Sequence, residues 1–153
     1  MSAADIASLE GSLKESIKEV IGITFGDSPE FVTPDESAKG LSAIIGISEG
    51  LSGYLAIHMA PETACTVAGI MLGDSYAKVD DIVCDAVGEL ANMLGGSLKK
   101  FSGRFGEPFK IAVPTIVQGN DYGTHAAKDS EQAIFGISTT AASFIIQLVI
   151  YSH

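Results

Sequence analysis

Positive charge is scarce in this chain. Of its 153 residues, 9 are Lys or Arg and 19 are Asp or Glu, giving a net charge of −10 at neutral pH. A nucleic-acid-binding surface needs a positive face, so nucleic acid is excluded as a partner, and an anionic membrane surface would repel the chain. Cysteine is scarce too. Cys65 and Cys84 stand far apart among apolar residues and outside any C-x-x-C pair. They read as buried free thiols of a reducing compartment. No apolar run approaches the ~20 residues needed to span a bilayer. The opening stretch MSAADIASLEGSLKE lacks the basic start and apolar segment of a signal peptide. Together these absences predict a cytoplasmic protein. His58, His125 and His153 are isolated, with no second His or Cys at metal-ligand spacing. There is no G-x-S-x-G, P-loop or G-x-G-x-x-G.

What is present is a core-forming composition, 46% hydrophobic against 18% charged, in a length that fits one domain spanning residues 1–153. Ile6, Leu9, Leu13, Ile17, Val20 and Ile21 recur at helical spacing. A loop rich in Gly, Pro, Asp and Ser follows, with a short strand around Phe31–Thr33. LSAIIGISEGLSGYLAIHMA reads as a hairpin turning near Glu49 and Gly50. Pro61 suits the first turn of a second helix and Gly73 its end. A long third helix begins after Asp80, a plausible N-cap, and carries Lys99 and Lys100 near its C-terminal end. PFKIAVPTIVQG reads as one strand, with Pro114 marking an edge or a bulge. NDYGTHAAKDSEQ reads as a polar loop, and AIFGIST with ASFIIQLVIY as a last hairpin.

Two short matches suggest a duplication. AIIGIS at 43–48 returns as AIFGIS at 133–138, and LEGSLK at 9–14 returns as LGGSLK at 94–99. Each half would be a long helix followed by strands, an α+β architecture in two layers with a mainly antiparallel sheet. On the second match, Glu89 and Asn92 fall opposite Ala4 and Ala7.

The third helix holds the chemistry. At 100° per residue, Val83, Val87, Leu90, Leu94, Leu98 and Phe101 form one apolar face. Asp81, Asp85, Glu89, Asn92, Gly96 and Lys99 fall on the far side, with Gly88 beside them. Three glycines in this segment, Gly88, Gly95 and Gly96, would cost about 3 kcal/mol relative to alanine. On an exposed face, Gly88 and Gly96 would let another molecule approach the backbone. Glu89 and Asn92 are neighbours at i, i+3. A carboxylate there can pair with a lysine or bind a metal. An amide donates and accepts hydrogen bonds but is no base near neutral pH, so Asn92 can contribute only positioning. A solvated helix face, a docking surface without catalysis, and a metal site on Asp81, Asp85 and Glu89 are alternatives that the residues leave open.

The pattern D-x-x-x-E-x-x-N at Asp85, Glu89 and Asn92, within GELANMLGGSLKK and upstream of VPTIVQG, resembles the signature of the CheC/CheX/FliY phosphatases. The resemblance covers most of the chain and is strongest over 81–119. A single motif, placed in the second half, resembles the CheX branch. The resemblance implies a CheC-like fold and an enzyme that dephosphorylates the aspartyl phosphate of the chemotaxis response regulator CheY. It implies that Glu89 pairs with an active-site lysine of the regulator and that Asn92 orients the attacking water. Asp85, Gly88, Gly96 and Lys99 would surround them as partner contacts. The regulator would hold the phosphate and Mg²⁺, leaving no metal on this chain. The branch also implies a homodimer formed through sheet edges.

Overall fold

The computed structural model describes residues 3–35, 37–102, 109–119 and 129–151. The elements run α1 (Ala3–Phe25), β1 (Glu30–Val32), β2 (Gly40–Ser48), β3 (Gly53–Met59), α2 (Pro61–Leu72), α3 (Asp81–Ser102), β4 (Lys110–Ile111), β5 (Thr115–Gly119), β6 (Ser130–Ser138) and β7 (Ser143–Tyr151). Every strand pairing is antiparallel. The expected α+β class with helices packed on an antiparallel sheet is what the chain adopts.

Local signals account for most boundaries. Pro61 occupies the first turn of α2, where a missing N–H costs nothing. Gly73 ends that helix in the left-handed conformation, φ 71°, and donates its N–H to the Gly69 carbonyl. The turn between β2 and β3 places Glu49 at φ 56° and Gly50 at φ 112°. One boundary differs from expectation. Ser130, Glu131 and Gln132, read as loop, begin β6, because they pair with Tyr151, Ile150 and Val149 of β7. Residues 120–128 of that expected loop, with His125 and His153, lie outside the described residues.

The sheet order is β1-β6-β7-β3-β2-β4, with β5 also on β2. Taking β4 and β5 as one interrupted strand, this order is a palindrome under exchange of the halves. β1 exchanges with β4 and β5, β2 with β6, and β3 with β7. The repeated AIIGIS and AIFGIS segments lie in β2 and β6, and the repeated LEGSLK and LGGSLK segments in α1 and α3. The last strands of the two halves, β3 and β7, pair at the centre. Each half thus gives its short outer strand to the other half's hairpin, and neither sheet half is complete alone.

Alternate residues of the central strands face the helices. Leu41, Ala43 and Ile45 of β2, Leu55 and Ile57 of β3, and Phe144, Ile146 and Leu148 of β7 share one core with the apolar stripes of α1 and α3. On the opposite face of these strands runs a polar chain, buried at Ser42, His58 and Gln147 and reaching the surface at Gln132. Ser42 Oγ lies 2.6 Å from His58 Nδ1, His58 Nε2 lies 2.8 Å from Gln147 Oε1, and Gln147 donates to Gln132 Oε1 at 2.9 Å. His58, isolated in sequence, is therefore a hydrogen-bonded core residue that links β2, β3 and β7.

The strand expected over PFKIAVPTIVQG is broken in two. Ile47 pairs with Ile111 and Ile44 with Thr115. Between these pairs β2 has two residues, Ile45 and Gly46, and the edge chain has three, Ala112, Val113 and Pro114. One extra residue on the edge makes a β-bulge. Ala112 still donates its N–H to the Gly46 carbonyl at 2.9 Å, whereas Pro114 has no N–H to give.

Candidate functional site

α3 is fixed at both ends. The Asp80 carboxylate accepts the Val83 N–H at 2.9 Å, the geometry of an N-cap. Asp81 adds negative charge in the first turn, and Lys99 and Lys100 add positive charge in the last, each opposing the helix dipole. Lys100 also reaches Glu19 of α1 at 2.8 Å. Between these ends Val83, Val87, Leu90, Leu94 and Leu98 are buried, while Phe101 is half-buried beneath the Lys100 ammonium.

The other face of α3 presents Asp85, Glu89, Asn92, Gly96 and Lys99 to solvent. Glu89 and Asn92 stand one turn apart over a groove of about 460 Å³ between α3 and the bulged edge. Cys84, Asp85, Gly88, Glu89 and Asn92 form its helical wall. Ile111, Ala112, Val113, Pro114 and Ile116 form the facing wall. The two walls differ in chemistry. One carries carboxylates and an amide, and the other is apolar throughout.

The glycines divide by role, which corrects the expectation that Gly88 is exposed. Gly88 is buried, and a Cβ there would meet Ile116 at 3.6 Å and Pro114 at 3.9 Å. Gly95 is also buried, and a Cβ would stand 3.3 Å from the Cδ1 atoms of both Ile45 and Ile111. These two glycines let α3 lie against the sheet edge. Gly96 alone is open, with nothing within 4 Å of its would-be Cβ. Gly96 and Lys99 continue the exposed ridge beyond the groove and do not line it.

Both cysteines are free but only half-buried, not buried as expected. Cys84 lies within the groove wall, and the Gln118 amide reaches its sulfur at 3.7 Å. Burial pushes its thiol pKa up, and the carboxylates of Asp81, Asp85 and Asp80 add to the shift. Each of these effects disfavours the thiolate, the nucleophilic form of cysteine. Among the described residues no three His, Cys, Asp or Glu side chains gather as metal ligands. In the first half, Ala7 holds the exposed position on α1 that matches Asn92.

The family described as Chemotaxis phosphatase CheX matches residues 41–138. The chain belongs to the CheX family. It is 35% identical over 123 residues to the CheY-P phosphatase CheX of Thermotoga maritima, covering 79% of each chain. Solved structures share its fold. A CheX chemotaxis protein from Desulfovibrio desulfuricans superposes with a TM-score of 0.79 at 21% identity, over 93% of this chain and 98% of that one. The structure of a CheX-CheY-BeF3-Mg²⁺ complex from Borrelia burgdorferi superposes with a TM-score of 0.76 at 20% identity, over 94% and 97% of the two chains.

Of the residues singled out in the sequence, Asp85, Gly88, Glu89 and Asn92 come together in the groove. The apolar wall was missed as a wall. Its one sequence signal was Pro114, read as an edge or bulge.

Proposed function

We propose that this CheX-family chain, as a single catalytic domain, hydrolyses the aspartyl phosphate of a CheY-like response regulator in chemotaxis signalling. The observation that carries this reading is the Glu89 and Asn92 pair, exposed one turn apart on α3 above an open groove. The family relationship, and 35% identity to a CheY-P phosphatase, support the same reaction.

Glu89 docks the cationic side chain of the regulator's active site, which sets the register of α3. Asn92 then enters beside the phosphoryl group and holds a water in line with phosphorus. The water oxygen attacks as the bond from phosphorus to the aspartate oxygen breaks. The aspartate leaves as a carboxylate, and the proton lost by the water ends on phosphate or solvent. Phosphoryl transfer passes through a loose transition state, so placing the water supplies much of the acceleration and no base is needed from this chain. The regulator holds the Mg²⁺, as the CheX-CheY-BeF3-Mg²⁺ complex of a relative supports.

The direct test is the lifetime of the regulator's phosphate with and without this protein. Asn92→Ala should abolish the acceleration while leaving the fold intact, because Asn92 is exposed. A fully active Asn92→Ala protein overturns the mechanism. The same face could dock a regulator or flagellar-switch component without hydrolysis, and binding with an unchanged phosphate lifetime would favour that second reading. The reaction is assigned to the cytoplasm on the family relationship alone. A homodimer through sheet edges completes the proposal, and sedimentation across a concentration range tests it.

A further inference from the structure

We infer that the bulge at Ala112–Pro114 is the second half of the docking surface, and that Val113 is an affinity-determining contact for the regulator. This rests on the phosphatase reading of α3 and extends it to the facing wall.

Four observations carry the inference. First, Val113 is 86% exposed, more than any other large hydrophobic residue among those described. It therefore adds little to the core and gains apolar burial only when something covers it. Second, its exposure is built in. The extra residue breaks the ladder to β2, and Pro114 cannot restore it by donating an N–H. Third, Val113 lines the same groove as Glu89 and Asn92 from the opposite side. Fourth, the two halves differ beyond this point. The exchanged strand β1 pairs Glu30, Phe31 and Val32 with Ser138, Ile137 and Gly136 of β6 and, among the described residues, pairs no further, whereas the edge chain resumes its ladder on β2 at Thr115. Only the half that carries the Glu and Asn pair has a strand on both sides of its proline.

The occupant follows from the two walls. Carboxylates of Asp85 and Glu89 on one side call for a cation. Val113, Pro114 and Ile116 on the other call for an apolar side chain beside it. The surface fits a regulator segment that presents a basic and an apolar side chain next to the phosphorylated aspartate. Contact with Val113 adds apolar burial to the docked complex beside the charge pairing at Glu89, and so sets how tightly the regulator is held.

The test compares Val113→Ser and Val113→Ile with the parent protein, in phosphatase assays over a range of phosphorylated CheY-like regulator and in binding titrations with the same regulator activated by beryllofluoride and Mg²⁺. Val113→Ser should raise KM and Kd about tenfold, the loss expected for one valine burial, with kcat nearly unchanged. Val113→Ile should restore both constants, and the melting temperature of each variant should match the parent. Unchanged KM and Kd in Val113→Ser, or a fall in kcat alone, overturns the inference. If the parent binds the regulator without shortening the phosphate lifetime, the phosphatase reading fails. The Kd of Val113→Ser then still decides the docking role, a tenfold loss upholding it and no loss overturning it.

Discussion

A Cβ placed on Gly95 would stand 3.3 Å from the Cδ1 of Ile111, whereas one placed on Gly96, the next residue, would meet nothing within 4 Å. Adjacent glycines of one helix thus answer to different constraints. Gly96→Ala should stabilise the protein by up to about 1 kcal/mol, the helix-propensity difference between the two residues. Gly95→Ala should gain less, since the Ile45 and Ile111 methyls must shift by a few tenths of an ångström. Chemical denaturation of the two variants reads the difference directly. If Gly96 serves as clearance for the regulator, its alanine variant gains stability and loses affinity together.

Glu89→Lys should weaken regulator binding strongly and raise KM, because it reverses the charge that the groove offers to a cation. Stability should move by no more than about 0.5 kcal/mol, as is usual for an exposed substitution. The parent's KM should also rise with ionic strength, and that salt dependence should flatten in Glu89→Gln.

Asp80→Ala removes the acceptor of the Val83 N–H and should destabilise the protein by about 1 kcal/mol. Hydrogen exchange should quicken at the first turn of α3 before the rest of the helix. Asp80→Asn and Asp80→Ser keep a capping oxygen and should recover most of the loss.

Asp27 ties the end of α1 to the turn between β6 and β7. Its carboxylate accepts the Thr140 N–H at 2.9 Å and the Thr140 hydroxyl at 3.0 Å, along with the Ser28 N–H on its other oxygen. The Thr140 N–H, then its hydroxyl, and then the Ser28 N–H hold the pKa below the ordinary 3.8. A depressed carboxylate contributes its stability above the unfolded value and loses it as pH falls through the folded one. Asp27→Asn should therefore be less stable than the parent at neutral pH. The gap should close below pH 3.8, as titration of the melting temperature would reveal.

Much of this architecture could be read from the chain because the signals were local. The Asp80 cap, Pro61 and Gly73 around α2, and the stripe from Val83 to Leu98 each depend on residues within a few turns. Glu89 and Asn92 were legible for the same reason, since helical spacing alone puts both opposite the stripe. What could not be read depends on distant pairing. Gly88 is buried by Pro114 and Ile116, which reach it only after the edge chain folds back onto β2. His58 has no neighbour of note in sequence, yet it meets Ser42 and Gln147 across three strands. Ser130, Glu131 and Gln132 look like loop until β7 offers them a ladder.

The bulge has a consequence for aggregation as well as for recognition. A foreign strand laid along β4 and β5 would find its hydrogen-bond repeat thrown out of step by one residue and then a proline with no N–H. Sheet growth is therefore blocked on the side that carries the groove. The opposite border, three residues of β1 from Glu30 to Val32, is left as the place where another strand could join.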